Sequence, residues 1–386
     1  MFALAIQRCP RPNFSLCRHL SSLKPSQSSL PAAYYRGGTS RAVFFNQDDL
    51  PKSRDEWAPI FRGVIGSPDP YGRQLDGLGG GISSLSKVCV VGKSAHPDAD
   101  VDYTFAALGI KNTDVDFSSN CGNMVSAVGP YAVDSGLFAA HKDAESAVVR
   151  IHNTNTGKII HATFPIANGE AAAAGDLAID GVAGTAAPIK LDFINPAGSR
   201  TGKLLPTEAV KDILDGIEAT CIDVANPCVF VKADDLSISG TLTPDEITST
   251  PGLLARLDSV RRQAGAKMGL AESPETVPGS VPKIGIVSTP KGDSRVDLVV
   301  RALSVGQPHK AVPITVALAL ATAARLPGST VAEVTSSNPV DPTGITIGHA
   351  SGSILVGATF GPDGGLDFAT VFRTARRLFE GRIFWK

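Results

Sequence analysis

The stretch Thr39-Ser40-Arg41-Ala42-Val43-Phe44-Phe45-Asn46-Gln47-Asp48-Asp49-Leu50 returns later in the chain as Ala225-Asn226-Pro227-Cys228-Val229-Phe230-Val231-Lys232-Ala233-Asp234-Asp235-Leu236. Three further echoes keep the same order. Ser86-Lys87-Val88-Cys89-Val90-Val91 is answered by Pro282-Lys283-Ile284-Gly285-Ile286-Val287. Val101-Asp102-Tyr103 is answered by Val296-Asp297-Leu298, and Lys158 to Phe164 by Ile354 to Phe360. The separations run from 186 residues (Thr39 to Ala225) to 196 (Lys87 to Lys283). Four matches in register describe a duplicated unit, and paired units commonly hold a ligand in the crevice between them.

Working outward, 386 residues suffice for two such units. The expected division is a first lobe over 32–205 and a second over 206–386. A formal net charge of -1 supplies no global attraction for nucleic acid or an anionic membrane, so neither is an expected partner. The 6 cysteines show no C-x-x-C pair or metal-type cluster, which suits a reducing compartment and predicts no metal site. The longest apolar stretch, Ala311 to Ala324, is too short to span a bilayer. Residues 1–31 differ from the rest: Arg8, Arg11, Arg18 and Lys24 occur there with several serines and no acid. That pattern predicts a mitochondrial targeting leader, the alternatives being a disordered extension on a cytoplasmic protein or a mis-assigned start.

Short apolar runs bounded by Gly, Pro, Asn or Asp read as strands: Val43 to Phe45, Val88 to Val91, Val148 to Ile151 and Ile159 to Phe164, with their second-half counterparts. Each half also holds one stretch that is apolar on nearly every side, and such a helix is a buried one. The first is expected from about Asn123 to Val133, the second from about Ala311 to Leu326 with Pro313 in its first turn. The predicted class is α+β, with two pseudo-symmetric lobes, each a curved sheet around a central helix.

The chemistry-bearing residues gather at the starts of these elements. Cys121, in Asn120-Cys121-Gly122-Asn123, opens the first helix, where unpaired N–H groups and the helix dipole stabilise a thiolate. His309 and Lys310 open the second, so two helix starts facing one cleft would suit an anion with several carboxylates. In Arg36-Gly37-Gly38-Thr39-Ser40-Arg41, the glycines permit close approach, and hydroxyls and guanidiniums can grip carboxylates. Lys87 heads a strand behind a glycine-rich loop that fits neither a Walker A motif nor a dinucleotide fingerprint; a partly buried lysine there could act as a base. Its echo, Lys283, tempers that reading, since both lysines could simply head strands. His349, Ser351 and Gly352 form a polar turn before the last repeat strand.

Together these residues resemble the PrpF family, which includes 2-methylaconitate cis-trans isomerase, 3-methylitaconate Δ-isomerase, aconitate Δ-isomerase and 4-oxalomesaconate tautomerase. The resemblance rests on Tyr35 to Arg41, Asp76-Gly77-Leu78-Gly79-Gly80, Ser84-Leu85-Ser86-Lys87-Val88, Ser119 to Asn123, Asn226 to Phe230, Gln307 to Ala311 and His349 to Gly352. It runs in order from about Tyr34 to the C-terminus and implies a diaminopimelate-epimerase-like fold. In such a fold the last strand, about Gly381 to Trp385, is expected to cross back to the first lobe. By the same resemblance Lys87 and Cys121 are the catalytic residues. Arg36 to Arg41, Ser84, Asn120, Gly122, Asn123, His309, Lys310, His349, Ser351 and Gly352 would bind the substrate carboxylates. Arg41 stands where relatives usually carry Lys, which changes reach and fork geometry.

The implied reaction is cofactor-independent. An acidic allylic proton is removed from an unsaturated di- or tricarboxylate and returned at another carbon. Lys87 as base with Cys121 as acid and the reverse assignment are both open at this level. Racemases of the same fold use a thiol on each central helix, and the second helix start here has none. A non-catalytic carboxylate-binding accessory protein is the third reading. The particular acid and any homo-oligomer stay open.

Overall fold

The computed structural model describes residues 27–386 apart from Ser119, Lys142, Asp143, Lys291, Asp293 and Ser294. The leader reading falls mostly on residues 1–26, outside the described residues. Its last four residues, 28–31, belong instead to the first strand.

Leaving two-residue strands aside, the first half supplies β1 (Ser28–Gly37), β2 (Ser40–Asn46), β3 (Lys87–Lys93), β4 (Val101–Leu108), β5 (Ser146–Asn153), β6 (Lys158–Ala167) and β7 (Ile189–Ile194). The second supplies β8 (Asp212–Leu214), β9 (Ile217–Asp223), β10 (Pro227–Lys232), β11 (Lys283–Ser288), β12 (Leu298–Ser304), β13 (Ile345–His349), β14 (Gly352–Phe360), β15 (Leu366–Arg373) and β16 (Ala375–Trp385). Hydrogen bonding joins them in the order β16-β1-β2-β3-β4-β5-β6-β7 in one lobe. The other lobe runs β8-β9-β10-β11-β12-β13-β14-β15. Both follow the same succession of antiparallel and parallel pairs. The lobes meet where β7 pairs antiparallel with β15, Leu191 opposite Val371. The outermost strand of the first lobe, β16, is the chain's last, paired along β1 from Ser28↔Trp385 to Gly37↔Ala375.

Each lobe wraps a central helix, α2 (Gly122–Asp134) in the first and α5 (Ile314–Ala323) in the second. Gly122 to Val133 and all of α5 are buried, and one apolar core runs through both lobes. The second central helix is shorter than its sequence predicts. Val312 precedes a proline and is disfavoured from helical geometry, and Pro313 itself is extended, so α5 starts only at Ile314.

The helices α1 (Trp57–Ile65), α3 (Pro244–Ser249) and α4 (Leu253–Lys267) lie outside the central layer. Trp57, Ile60, Phe61, Val64 and Ile65 of α1 cover the outer face of β2 and β3. Leu253, Leu257, Val260 and Ala264 of α4 do the same for β10 and β11. That double cover is why Val88-Cys89-Val90-Val91 is unbroken apolar sequence: both faces of the strand are buried. No helix among the described residues is long and apolar enough to cross a membrane.

One core shared by both lobes predicts one cooperative unfolding transition. Leu191→Ala at the lobe junction, a fully buried position, should lower stability by about 2–5 kcal/mol. Urea melts followed by circular dichroism check this; two separable transitions in the wild type would contradict it.

Candidate active site

The starts of α2 and α5 touch. A Cβ placed on Gly122 would come within 2.5 Å of Ile314 Cβ, so only glycine allows this approach. Around the contact opens a cavity of about 520 Å³, lined from both lobes by Ser40, Lys87, Asn120 to Asn123, Lys283, His309 and Pro313 to Thr315, among others. Two helix N-termini therefore face one space, each with backbone N–H groups that have no partner inside the helix.

Cys121 is the N-cap residue of α2, half-buried and extended, and its side chain makes no capping hydrogen bond. Asn226, the repeat counterpart of Ser40, holds the residue before it. The Asn226 side chain accepts from the Asn120 N–H (3.1 Å), donates to the Asn120 carbonyl (2.9 Å) and reaches Thr315 Oγ1 (3.3 Å). Lys87 begins β3 and is 9% exposed; its Nζ donates to the Ser83 carbonyl and lies 5.6 Å from the centre of the Phe105 ring. Lys283 begins β11 at the equivalent position, is 7% exposed, and donates to the Ser280 carbonyl at 3.1 Å. Burial, with Lys87 nearby, pushes the Lys283 pKa below the ordinary lysine value.

His309 Nδ1 accepts from the Ala311 N–H at 3.0 Å, so the neutral ring carries its proton on Nε2. Burial pushes its pKa down to about 4, and the charges of Lys87 and Lys283 add to the push. Ser40 Oγ, Asn120 Oδ1 and Asn123 Oδ1 are buried in the cavity wall without a hydrogen-bond partner. Buried polar atoms are rarely left so; the two amide oxygens only accept, and of the three it is the Ser40 hydroxyl that can donate to a ligand. Lys87, Lys111 and Lys283 line the cavity against Asp114 and Asp116, and with two helix N-termini opening into it the balance favours an anion.

Of the residues singled out in the sequence, Lys87, Cys121, Ser40, Asn120, Gly122, Asn123 and His309 share this cavity, while the others lie elsewhere. Arg36 donates to the carbonyls of Gly38 (3.1 Å) and Thr374 (2.9 Å) and to Thr374 Oγ1, tying the β1–β2 turn to the strand entering β16. Gly37 and Gly38 admit α2 rather than a ligand: a Cβ on Gly37 would meet the Asn123 carbonyl at 2.5 Å, and one on Gly38 would overlap Asn123 Oδ1. Thr39 Oγ1 accepts from Asn123 Nδ2 at 3.2 Å, fixing that amide. Arg41, next after Ser40 on β2, faces the other way and lies 5.7 Å from the Tyr34 ring centre.

Ser84 sits in the turn before β3, where Ser83 and Ser86 rather than Ser84 line the cavity. Lys310 is exposed, because the helix begins four residues later. His349 and Gly352 line a separate cavity of about 370 Å³ with Arg301 and Asp180, and the Ser351 N–H donates to His349 Nδ1 at 3.3 Å. Lys283, which in sequence only tempers the reading of Lys87, lines the same cavity, and the repeat is the signal that both lysines head equivalent strands.

The molecule is thus a duplicated α+β scaffold that brings a thiol and two lysines into one cleft between its lobes. The profile of the family described as "PrpF protein" matches residues 27–386, and the chain belongs to that family. It is 39% identical to "3-methylitaconate isomerase" of Eubacterium barkeri, covering 93% of this chain and 97% of that one. Identity to "2-methyl-aconitate isomerase" of Shewanella oneidensis is 37%, covering 94% and 98%. Among solved structures, "Methylitaconate-delta-isomerase" superposes with a TM-score of 0.76 at 38% identity, covering 93% and 96%. A hydroxyproline epimerase from Agrobacterium vitis shares the fold alone, with a TM-score of 0.52 at 11% identity over 92% of each chain. The chain is accordingly an isomerase.

His309 and His349 are both held neutral, the latter with a pKa pushed down to about 4 by burial and then by Arg373. The unfolded chain protonates them near 6.5, so it binds more protons than the folded one between about 6.5 and 4. The stability they contribute is whole above about pH 6.5 and is lost as pH falls to about 4. Urea midpoints measured across that window should fall less steeply with acid for His309→Gln and His349→Gln than for the wild type. Parallel curves would contradict the assignment.

Proposed function

We propose that the protein moves or rotates the C=C bond of an unsaturated di- or tricarboxylate, of the aconitate, methylaconitate or itaconate type, by removing an allylic proton and returning it at another carbon. The observation that carries this reading is the sharing of one anion-receptive cavity by Cys121 and Lys87 beneath two helix N-termini. A proton leaves one carbon, the electron pair delocalises through the C=C bond into the conjugated carboxylate, and a proton is added at the far carbon. Nothing is oxidised, and the formula is unchanged.

The surroundings of Lys87 favour one assignment of the proton-transfer pair. The Ser83 carbonyl and the face of Phe105 both suit a charged ammonium. That leaves Cys121, as thiolate at the helix N-cap, to take the proton and return it, with Lys87 beside the developing enolate. The N–H groups of the first turn of α2 and Nε2–H of His309 are the further donors for that charge; one such donor is typically worth about 100- to 1,000-fold in rate. The racemase alternative needs a second thiol, and the residue matching Cys121 at the other helix cap is Pro313.

Proton NMR of the purified protein with cis-aconitate, 2-methylaconitate, itaconates or oxalomesaconate in D2O tests the reading. Deuterium incorporation with new olefinic signals is expected from at least one acid. Lys87→Ala and Cys121→Ser should each lower the rate by about 100-fold or more. Folded wild type that exchanges no proton in any of them would overturn it.

The reading extends to location: the basic, acid-free leader is taken as a mitochondrial address, although the relatives named above are bacterial. Residues 1–31 fused to a fluorescent protein should enter mitochondria in a eukaryotic cell, and diffuse cytosolic fluorescence would refute this.

A further inference from the structure

We propose that Lys283 is the anchor for a second substrate carboxylate, held across the cleft from Cys121, and that it makes the enzyme select polycarboxylates over monocarboxylates. This rests on the polycarboxylate reading above and adds a residue and a selectivity to it. The duplication places two lysines at equivalent strand starts, β3 and β11, and both reach the same cavity. An ammonium has three donors, and Lys283 uses one, to the Ser280 carbonyl at 3.1 Å. Among the described residues no carboxylate pairs with it; Asp116, also in the cavity wall, instead accepts from the Ser118 N–H (2.7 Å) and hydroxyl (2.6 Å).

Asp116 acts on Lys283 through space without pairing with it, and an ammonium 7% exposed with no carboxylate in contact is costly unless a ligand brings one. Lys87 cannot serve every carboxylate of a diacid or triacid, because its place is beside the reacting carbons with Cys121. Lys283 stands on the opposite lobe. A molecule with one carboxylate at the α2 start, near the Ser40 hydroxyl and the first-turn N–H groups, would present the next to Lys283. A monocarboxylate would leave that ammonium unpaired.

The measurement is calorimetric binding of three unreactive saturated acids, tricarballylate, methylsuccinate and isobutyrate, to wild type, Lys283→Met and Lys283→Arg, each first confirmed folded by its thermal melt. Wild type should bind the first two and discriminate against isobutyrate. Lys283→Met should lose about tenfold to a hundredfold in affinity for the polycarboxylates, and Lys283→Arg should keep more. KM for the reactive acid should rise by a similar factor, more than kcat falls. A crystal structure of wild type with tricarballylate, which needs no variant, should put a carboxylate oxygen within hydrogen-bond distance of Lys283 Nζ. Folded Lys283→Met with wild-type affinity, or a bound acid with every carboxylate away from Nζ, would overturn the role of Lys283 while leaving the isomerase reading intact. Wild type that binds none of the acids and exchanges no proton would bring down both.

Discussion

Everything at the centre of this molecule depends on the contact between Gly122 and Ile314. Two buried helices, one from each half of the duplication, meet end to end because one of the first residues lacks a side chain. With a methyl group there the helix starts would be driven apart and the cavity would lose its shape. The contact also aligns the charges: both positive helix ends open into the space that Lys87 and Lys283 already line. The electrostatic character of the site is thus a consequence of backbone approach before it is a matter of particular side chains.

The halves have diverged at matched positions, and the divergence divides labour. Cys121 caps the first helix and Pro313 the second, so a single thiol faces the cavity from the caps. Ser40 leaves its hydroxyl free in the wall, whereas its counterpart Asn226 is spent clamping both backbone groups of Asn120. The second lobe therefore positions the first lobe's thiol, and the first lobe presents it. At the lysines the duplication kept its symmetry, and the cleft accordingly carries cationic charge on both walls.

Much of the architecture was legible in the chain because the repeat is long and ordered. The strands around Val43, Val88, Val229 and Ile284 read correctly, since runs buried on both faces are apolar throughout. The central helices were legible because they are apolar nearly all round, although the second starts only at Ile314 and ends at Ala323. The outer helices α1 and α4 escaped, although Leu253, Leu257, Val260 and Ala264 keep a helical spacing. Their polar faces drew less notice than the strands they cover. At the site, Lys87 and Cys121 were legible as residues at element starts; His309 lines the same cavity although its helix begins only at Ile314. Arg36, Arg41 and the Gly37-Gly38 pair were misleading, because a guanidinium or a glycine has the same appearance in sequence whether it meets a ligand or the protein's own backbone.

The sequence by itself determined that the chain is a tandem duplication with one buried helix per half, since order, spacing and all-round hydrophobicity are properties of the string. It also determined that only one helix start carries a cysteine. Only the tertiary structure decided which residues face the common cavity. Whether Ser40 or Arg41 points inward depends on strand phase, and whether His349 joins His309 depends on how the lobes close. The union of Lys87 with Lys283 depends on the pairing of β7 with β15, which fixes how two separately folded patterns turn toward each other. These are relations across nearly two hundred residues, set by packing of one shared core, and no local pattern records them.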